Sequence, residues 1–188
     1  MRRAVVEVAV LSILAAVPTA LGYVLGPLSR ALSATARAFG FPAAPRLGFI
    51  PLVTVTVLAR AYLGRGAAVK EGVLLALLGA VFHPRDLSLR VLRNIMLGVG
   101  VELGMIGVKR IDAWSCVLAG LVGGALSYTP YLLFAPLSVG AAVLYAALIL
   151  SSVNWLLSCA IGGYLASIVF RRSEWITVRV AHLTSRLT

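Results

Sequence analysis

The run LGVGVELGMIG, residues 97–107, places one carboxylate, that of Glu102, among ten uncharged residues, four of which are glycine. Glu102 follows Arg93 by nine residues and precedes Lys109 by seven, which is about 13 Å and 10 Å along a helix that rises about 1.5 Å per residue. In a membrane helix, a carboxylate at that depth costs about 2.5 to 3.5 kcal/mol and normally serves a function in a polar cavity. The alternative is a structural glutamate, protonated or paired, that holds two helices together.

The helical repeat aligns other residues with this carboxylate. Asn94, Gly98 and Glu102 recur at i, i+4 and i+8, so they share one face of a helix. The pattern predicts a ligand site in which Gly98 leaves space beside the carboxylate. Gly100 and Gly104 lie on the neighbouring face, where small residues let two helix backbones approach closely.

A later apolar segment supplies polar groups that could meet this face. Asn154 and Ser158 lie on one stripe at helical spacing, and Trp155 is beside it. We expect all three to contact a ligand, and the alternative is hydrogen bonding between helices.

Aromatic residues suggest the charge of that ligand. Tyr128 and Tyr131 flank Pro130 in the run SYTPY, and His83 precedes Pro84 at the rim of an earlier segment. Each alone is typical of an anchor at the membrane interface. Aromatic rings together with one carboxylate favour a flat organic cation.

The composition indicates whether these residues lie in water or in a membrane. Of the 188 residues, 61% are hydrophobic and 12% are charged, and the mean hydropathy is +1.00. This predicts one integral membrane domain, residues 1–188, folded as an all-α bundle of about six transmembrane helices. The predicted spans are Ala4–Leu28, Leu47–Leu63, Ala67–Phe82, Val91–Val108, Trp114–Phe134 and Val143–Phe170. The start of the chain also fits a signal peptide, but Glu7 interrupts the apolar run, so we keep the first span.

The basic residues predict the topology. With six spans and a cytoplasmic amino terminus, eleven of the 17 Lys and Arg residues lie in the cytoplasm and six lie outside, so both termini should be cytoplasmic. The net charge of +11 is dispersed through the loops, which argues against a nucleic-acid partner. Residues 29–46 form the predicted external loop, either a lid over an outer cavity or a short interfacial helix, and residues 171–188 form a cytoplasmic tail.

The first span also carries small residues at a spacing of four. Ala16 and Ala20 form one pair, and Gly22 and Gly26 form another. Such pairs let a helix pack closely on a partner helix, so we expect a docking surface here. Pro18 lies within the first pair and should kink the helix.

Catalytic and metal-binding motifs are missing from the sequence. It contains no HExxH, no CxxC and no Walker lysine in a Gly-rich loop, and Cys116 and Cys159 lie within apolar runs. We therefore expect no enzyme activity, no metal and no cofactor. Active transport would then need an energised partner or an ion gradient.

Two longer runs resemble a family. RLGFIPLVTVTVLARAYLGRGAAVKEGVLLALLGAVF, together with the Ala-x-x-x-Ala pair before it, resembles the substrate-binding S component of energy-coupling factor (ECF) vitamin transporters. GVGVELGMIGVKRIDAWSCVLAGLVGGALS resembles the type that takes thiamine or hydroxymethylpyrimidine, with Gly98 to Glu102 as its Gly-x-x-x-Glu motif.

The resemblance implies a function. An S component captures a vitamin from outside, docks through its first helix on a transmembrane T component, and is driven by two ABC ATPases. Thiamine carries a positive charge that Glu102 would neutralise, whereas hydroxymethylpyrimidine would need only groups such as Asn94, Asn154 and Ser158. The alternatives are a gradient-driven carrier or channel that uses Glu102 as a proton-linked group, and a non-catalytic subunit of a membrane complex.

Overall fold

The computed structural model describes the backbone of residues 2–38, 47–82, 87–108, 110–133 and 141–184, and the side chains of residues 4–35, 38, 47–81, 88–108, 110–130, 133 and 152–173. The described residues form α-helices and one 3-10 turn, Leu47–Phe49, and they include no strand. The helices are α1 Arg2–Ala38, α2 Ile50–Leu63, α3 Ala67–Phe82, α4 Leu87–Gly104, α5 Ala113–Leu133 and α6 Ala141–Thr184. The predicted all-α class is confirmed for this part of the chain.

The turn between α2 and α3 depends on glycine. Gly64 and Gly66 have φ angles of 87° and 82°, a left-handed conformation that other residues adopt only with strain. The Gly64 N–H donates to the Arg60 carbonyl at 3.1 Å and closes α2. Helix α3 begins three residues after Gly64, at Ala67, so the turn places the end of one helix beside the start of the next.

A third left-handed glycine shortens α4. Gly107 has φ 76°, and the N–H groups of Met105 and Ile106 donate to carbonyls three or four residues earlier, which is the tightened end of a helix. The next helix starts with a capping box, in which the Ser115 N–H donates to Asp112 Oδ1 at 2.7 Å and the Asp112 N–H donates to Ser115 Oγ at 2.9 Å.

The short helix α2 is the centre of the bundle. It contacts all five other helices, while α3, α4, α5 and α6 pack in sequence around it and α1 lies on α2 and α3. The main core combines residues of α2, α4, α5 and α6, among them Val57, Leu97, Cys116 and Trp155. Smaller clusters around Leu11 and Ala15 attach α1 to α2 and α3.

Glycines bring the helix backbones together. A Cβ added at Gly100 would lie 2.6 Å from Gly123 Cα, and one added at Gly104 would lie 2.7 Å from Ala119 Cα, so α4 and α5 touch along their backbones. The predicted close approach at Gly100 and Gly104 is confirmed.

Among the described residues, two stretches, Ala4–Thr35 and Ser152–Ser173, are long and apolar enough to cross a membrane. Much of the outer surface of α1 is apolar and exposed, including Val5, Ile13 and Val24. By contrast, α2 and α3 have 14 and 16 residues, which correspond to about 21 and 24 Å, against a hydrocarbon core of about 30 Å. The count of six spans therefore remains a prediction.

Several predicted boundaries differ from those of the structure. Helix α1 continues past Leu28 to Ala38, so the first part of the predicted external loop is helical, as is expected of a stretch with four alanines and no Gly or Pro after Leu28. Helix α4 ends at Gly104 instead of Val108 because of the turn at Gly107. Helix α6 continues to Thr184, since no Gly or Pro follows Phe170 before that residue.

Candidate functional site

A large cavity lies where α1 ends and α2 and α4 begin. We call this end of the bundle the outer end, because the predicted topology places it outside, and we call the cavity the outer cavity. Its volume is about 530 Å³. Its lining residues come from the 3-10 turn and from helices α1, α2, α4 and α6, and are Gly26, Ser29, Arg30, Ser33, Gly48, Phe49, Leu52, Arg90, Arg93 and Trp155.

A chain of contacts fixes one wall of the outer cavity. Arg93 donates from Nε and Nη2 to Asn94 Oδ1 at 3.1 and 2.9 Å, and its guanidinium lies 5.4 Å from the centre of the Phe49 ring. The Phe49 ring centre is in turn 4.1 Å from that of Trp155, which is 5.6 Å from that of Tyr128. The ring that lies beside the cation Arg93 is thus Phe49, which the sequence analysis did not name, and Tyr128 is connected to it only through Trp155.

Trp155 has a structural role in this wall. Its side chain is buried, and its indole N–H is 3.1 Å from both the Gly124 carbonyl and Ser127 Oγ. The ring is therefore held in one orientation, with its edge on the outer cavity.

A smaller cavity of about 130 Å³, here named the side cavity, shares four lining residues with the outer cavity: Gly48, Leu52, Arg90 and Arg93. Asn94 lines it, as do Gly22 and Gly79. The predicted site residues Asn94 and Trp155 are thus both part of the outer end.

Glu102 lies at the opposite end of α4, two residues before the helix ends. Its Oε2 is 2.8 Å from Arg60 Nε, and its Oε1 accepts the Ala68 N–H at 3.1 Å. Ala68 is the second residue of α3. The residue before this helix, Gly66, has no side chain with which to cap it. Glu102 supplies that cap from α4 and compensates the charge of Arg60.

An inner cavity of about 360 Å³ borders this ion pair and is lined by Arg60, Arg65, Glu102 and Ile106. Glu102 and Asn94, which share a helix face, therefore line different cavities. The predicted single site around Asn94, Gly98 and Glu102 is divided in the structure.

The packing at Gly98 explains why Asn94 and Glu102 line different cavities. A Cβ at this position would collide with the carbonyl of Ala68 and lie 3.0 Å from Val69 Cα. The space beside Gly98 is thus filled by the backbone of α3, and the interpretation of Gly98 as room for a ligand is wrong.

Within the polar stripe of α6, Ser158 bonds to its own helix. The Ser158 hydroxyl donates to the Asn154 carbonyl at 2.9 Å, and the Ser158 side chain is fully buried. Asn154 is half-buried, and neither residue lines any of the four cavities described here.

Tyr128 contributes to another small cavity. This cavity has about 190 Å³ and is lined by Ala125, Tyr128, Ser152, Trp155 and Leu156, so the Trp155 ring separates it from the outer cavity. His83 and the side chain of Tyr131 lie outside the described residues.

The two pairs of small residues in α1 have different surroundings. Ala16 and Ala20 are exposed, which suits a docking surface. Gly22 and Gly26 line the side and outer cavities instead, and a Cβ at either would meet no atom within 4 Å. The four residues therefore do not form one docking stripe.

The sequence analysis identified neither Glu71 nor the pair Arg90 and Arg93 as candidate functional residues. The Glu71 side chain is fully buried in α3, and neither of its carboxyl oxygens has a hydrogen-bond partner among the described residues. Arg90 and Arg93 were counted only as topology charges, although their i, i+3 spacing next to Asn94 was a usable signal for a site.

No group of three or more His, Cys, Asp and Glu side chains in the described ranges is placed to hold a metal ion. Comparison of the chain with protein-family models, with curated proteins and with solved structures found no match.

Proposed function

We propose that this chain is a multi-pass membrane protein that captures a small organic molecule at its outer end, as the S component of an ECF-type importer does. The observation that carries the proposal is the outer cavity. Its volume of about 530 Å³ lies within the range of about 300 to 1,000 Å³ that is usual for small-molecule sites. Five of its ten lining residues are serine or arginine, and the others include the rings of Phe49 and Trp155, so the cavity offers both polar and apolar contacts to a small molecule.

The proposed topology has six spans, with both termini in the cytoplasm. The apolar exposed surface of α1 and the length of Ser152–Ser173 support a membrane location. The short helices α2 and α3 are compatible with it because α2 is surrounded by other helices and needs little contact with lipid.

The exposed pair Ala16 and Ala20 supports the partner part of the proposal. Small residues on an apolar exposed helix face allow a second membrane helix to approach closely. In the proposed assembly this partner is the T component, and two ABC ATPases supply the energy.

The two alternative functions have less support. The gradient-driven carrier of the sequence analysis uses Glu102 as its proton-linked group, whereas Glu102 is paired with Arg60 and caps α3. An assembly subunit has no need of a cavity for a small molecule.

The test is native mass spectrometry of the full chain purified in mild detergent, with identification of any released molecule. We expect one small molecule per chain. Replacing Ser33 with Phe should fill the outer cavity and abolish its retention. Ser12→Phe, the same change at an exposed position of the same helix, is the matched control and should retain the molecule.

A negative result has a defined meaning. If the wild-type protein is empty, and no vitamin or vitamin precursor raises its unfolding temperature, the binding proposal is wrong. The chain would then be better explained as an assembly subunit.

A further inference from the structure

The charged groups of the outer cavity that the structure describes all have the same sign. Arg30, Arg90 and Arg93 line it. Of the acidic residues whose side chains the structure describes, Glu7, Glu71, Glu102 and Asp112, none lines it. Cations gathered in one cavity repel one another, so such a cavity favours an occupant of negative charge.

Two of these arginines are arranged to act on one group. Arg90 and Arg93 are three residues apart on α4, so their side chains leave neighbouring positions of the same helix face. The contacts with Asn94 and Phe49 hold Arg93 in place before any ligand arrives. A guanidinium that is already oriented loses less entropy when it binds a carboxylate or phosphate, which it matches with paired N–H donors.

The remaining lining provides for the rest of such a molecule. Ser29 and Ser33 bring hydroxyl groups from α1, which can donate to anionic oxygens. On the other side, Phe49, Leu52 and Trp155 form an apolar surface. The cavity thus has a cationic part and an apolar part.

We infer that the outer cavity binds a small organic anion, with its carboxylate or phosphate held by Arg90 and Arg93 and its apolar part against Phe49 and Trp155. This rests on the proposed function and sets the charge of the substrate, which is opposite to that of thiamine. Carboxylates and phosphates share the anionic oxygens that guanidinium recognises, and a phospholipid headgroup carries them too.

The experiment uses the full chain in a non-ionic detergent and measures the unfolding temperature and the dissociation constant. The anionic probes are biotin, pantothenate, nicotinate and pyridoxal phosphate. The neutral probes are hydroxymethylpyrimidine, pyridoxine and riboflavin, and the cationic probe is thiamine. Phosphatidylglycerol is titrated separately.

We expect at least one anionic probe to bind. Replacing Arg90 or Arg93 with Gln should weaken it about ten- to hundredfold, because each loses a charged hydrogen bond. Arg172→Gln, an exposed arginine of α6 that lines none of the four cavities, is the matched control and should leave affinity unchanged. Arg90→Lys and Arg93→Lys keep the charge and should retain part of the affinity, which separates loss of binding from misfolding.

Three outcomes would overturn the inference. Binding of a neutral or cationic probe that the Gln variants do not alter would refute the anionic substrate and leave the proposed function standing. Binding of phosphatidylglycerol alone would assign the arginines to the lipid headgroups. Failure of every soluble probe would refute the inference, and the proposed function would fall with it only if the wild-type protein is also empty in native mass spectrometry.

Discussion

The carboxylate of Glu102 joins three helices through two contacts: Oε2 is 2.8 Å from Arg60 Nε at the end of α2, and Oε1 accepts the Ala68 N–H at the start of α3. Both charged side chains are mostly buried, with 14% and 17% of their surface exposed. This arrangement favours a structural glutamate over a ligand contact.

We expect Glu102→Ala to destabilise the protein by about 1.5 to 3 kcal/mol, because it leaves the Arg60 charge and the Ala68 N–H without their acceptor. Glu102→Gln keeps a carbonyl oxygen for Ala68 and should cost less. Thermal unfolding in detergent measures both. A double-mutant cycle with Arg60→Met should show strong coupling, and additive effects of the two changes would contradict the pairing.

The contact between α4 and α5 gives a second prediction. Gly100→Ala should destabilise the protein by about 1 to 3 kcal/mol, since the new methyl group would meet the Gly123 backbone and the helices would have to separate. The matched control is Gly22→Ala, whose methyl group would meet no atom within 4 Å and which should gain up to about 1 kcal/mol of helix propensity. Equal effects in unfolding experiments would show that α4 and α5 are not in close contact.

The local features were the most predictable part of this fold. The predicted span Leu47–Leu63 equals the 3-10 turn plus α2, and Ala67–Phe82 equals α3, because Gly64 and Gly66 mark the break between continuous apolar runs. The end of α4 was harder to predict from the sequence. It depends on the left-handed turn at Gly107, and a glycine in an apolar run equally suits helix packing.

The candidate site depended on contacts between distant residues, which spacing along one helix does not give. Asn94, Gly98 and Glu102 do share a face of α4, but the α3 backbone covers that face at Gly98. Arg60 and Glu102 are 42 residues apart in the chain, so no local pattern pairs them. The outer cavity likewise combines Ser29 of α1 with Arg90 of α4 and Trp155 of α6.

Glu71 gives a third prediction. Its carboxyl is fully buried in α3 and has no hydrogen-bond partner among the described residues, so it loses solvation without compensation. We expect Glu71→Leu, a change of similar volume, to stabilise the protein by about 1 to 3 kcal/mol. Glu71→Gln keeps an uncompensated polar group and should have little effect. A lower unfolding temperature for Glu71→Leu would show that the carboxyl serves a polar partner.

The fourth prediction concerns acid sensitivity at the start of α5. The Ser115 N–H that donates to Asp112, helped by the Ser115 hydroxyl and by the charge of Arg171, lowers the pKa of Asp112 below its ordinary value of 3.8. The ionised carboxylate is therefore favoured by folding. Its contribution to the free energy of unfolding is complete above that ordinary value and disappears as the pH falls through the lowered pKa.

Asp112→Asn separates this charge effect from capping, because asparagine also caps helices well. The wild-type protein should be more stable than Asp112→Asn at about pH 6, and the difference should shrink as the pH falls below the ordinary value of 3.8 and through the lowered pKa. Unfolding temperatures measured in a non-ionic detergent across this range test the prediction. Ser115→Ala removes the hydroxyl but keeps the N–H donor, so it should reduce stability at every pH and retain part of the acid dependence. A difference between wild type and Asp112→Asn that grows on acidification would contradict the lowered pKa.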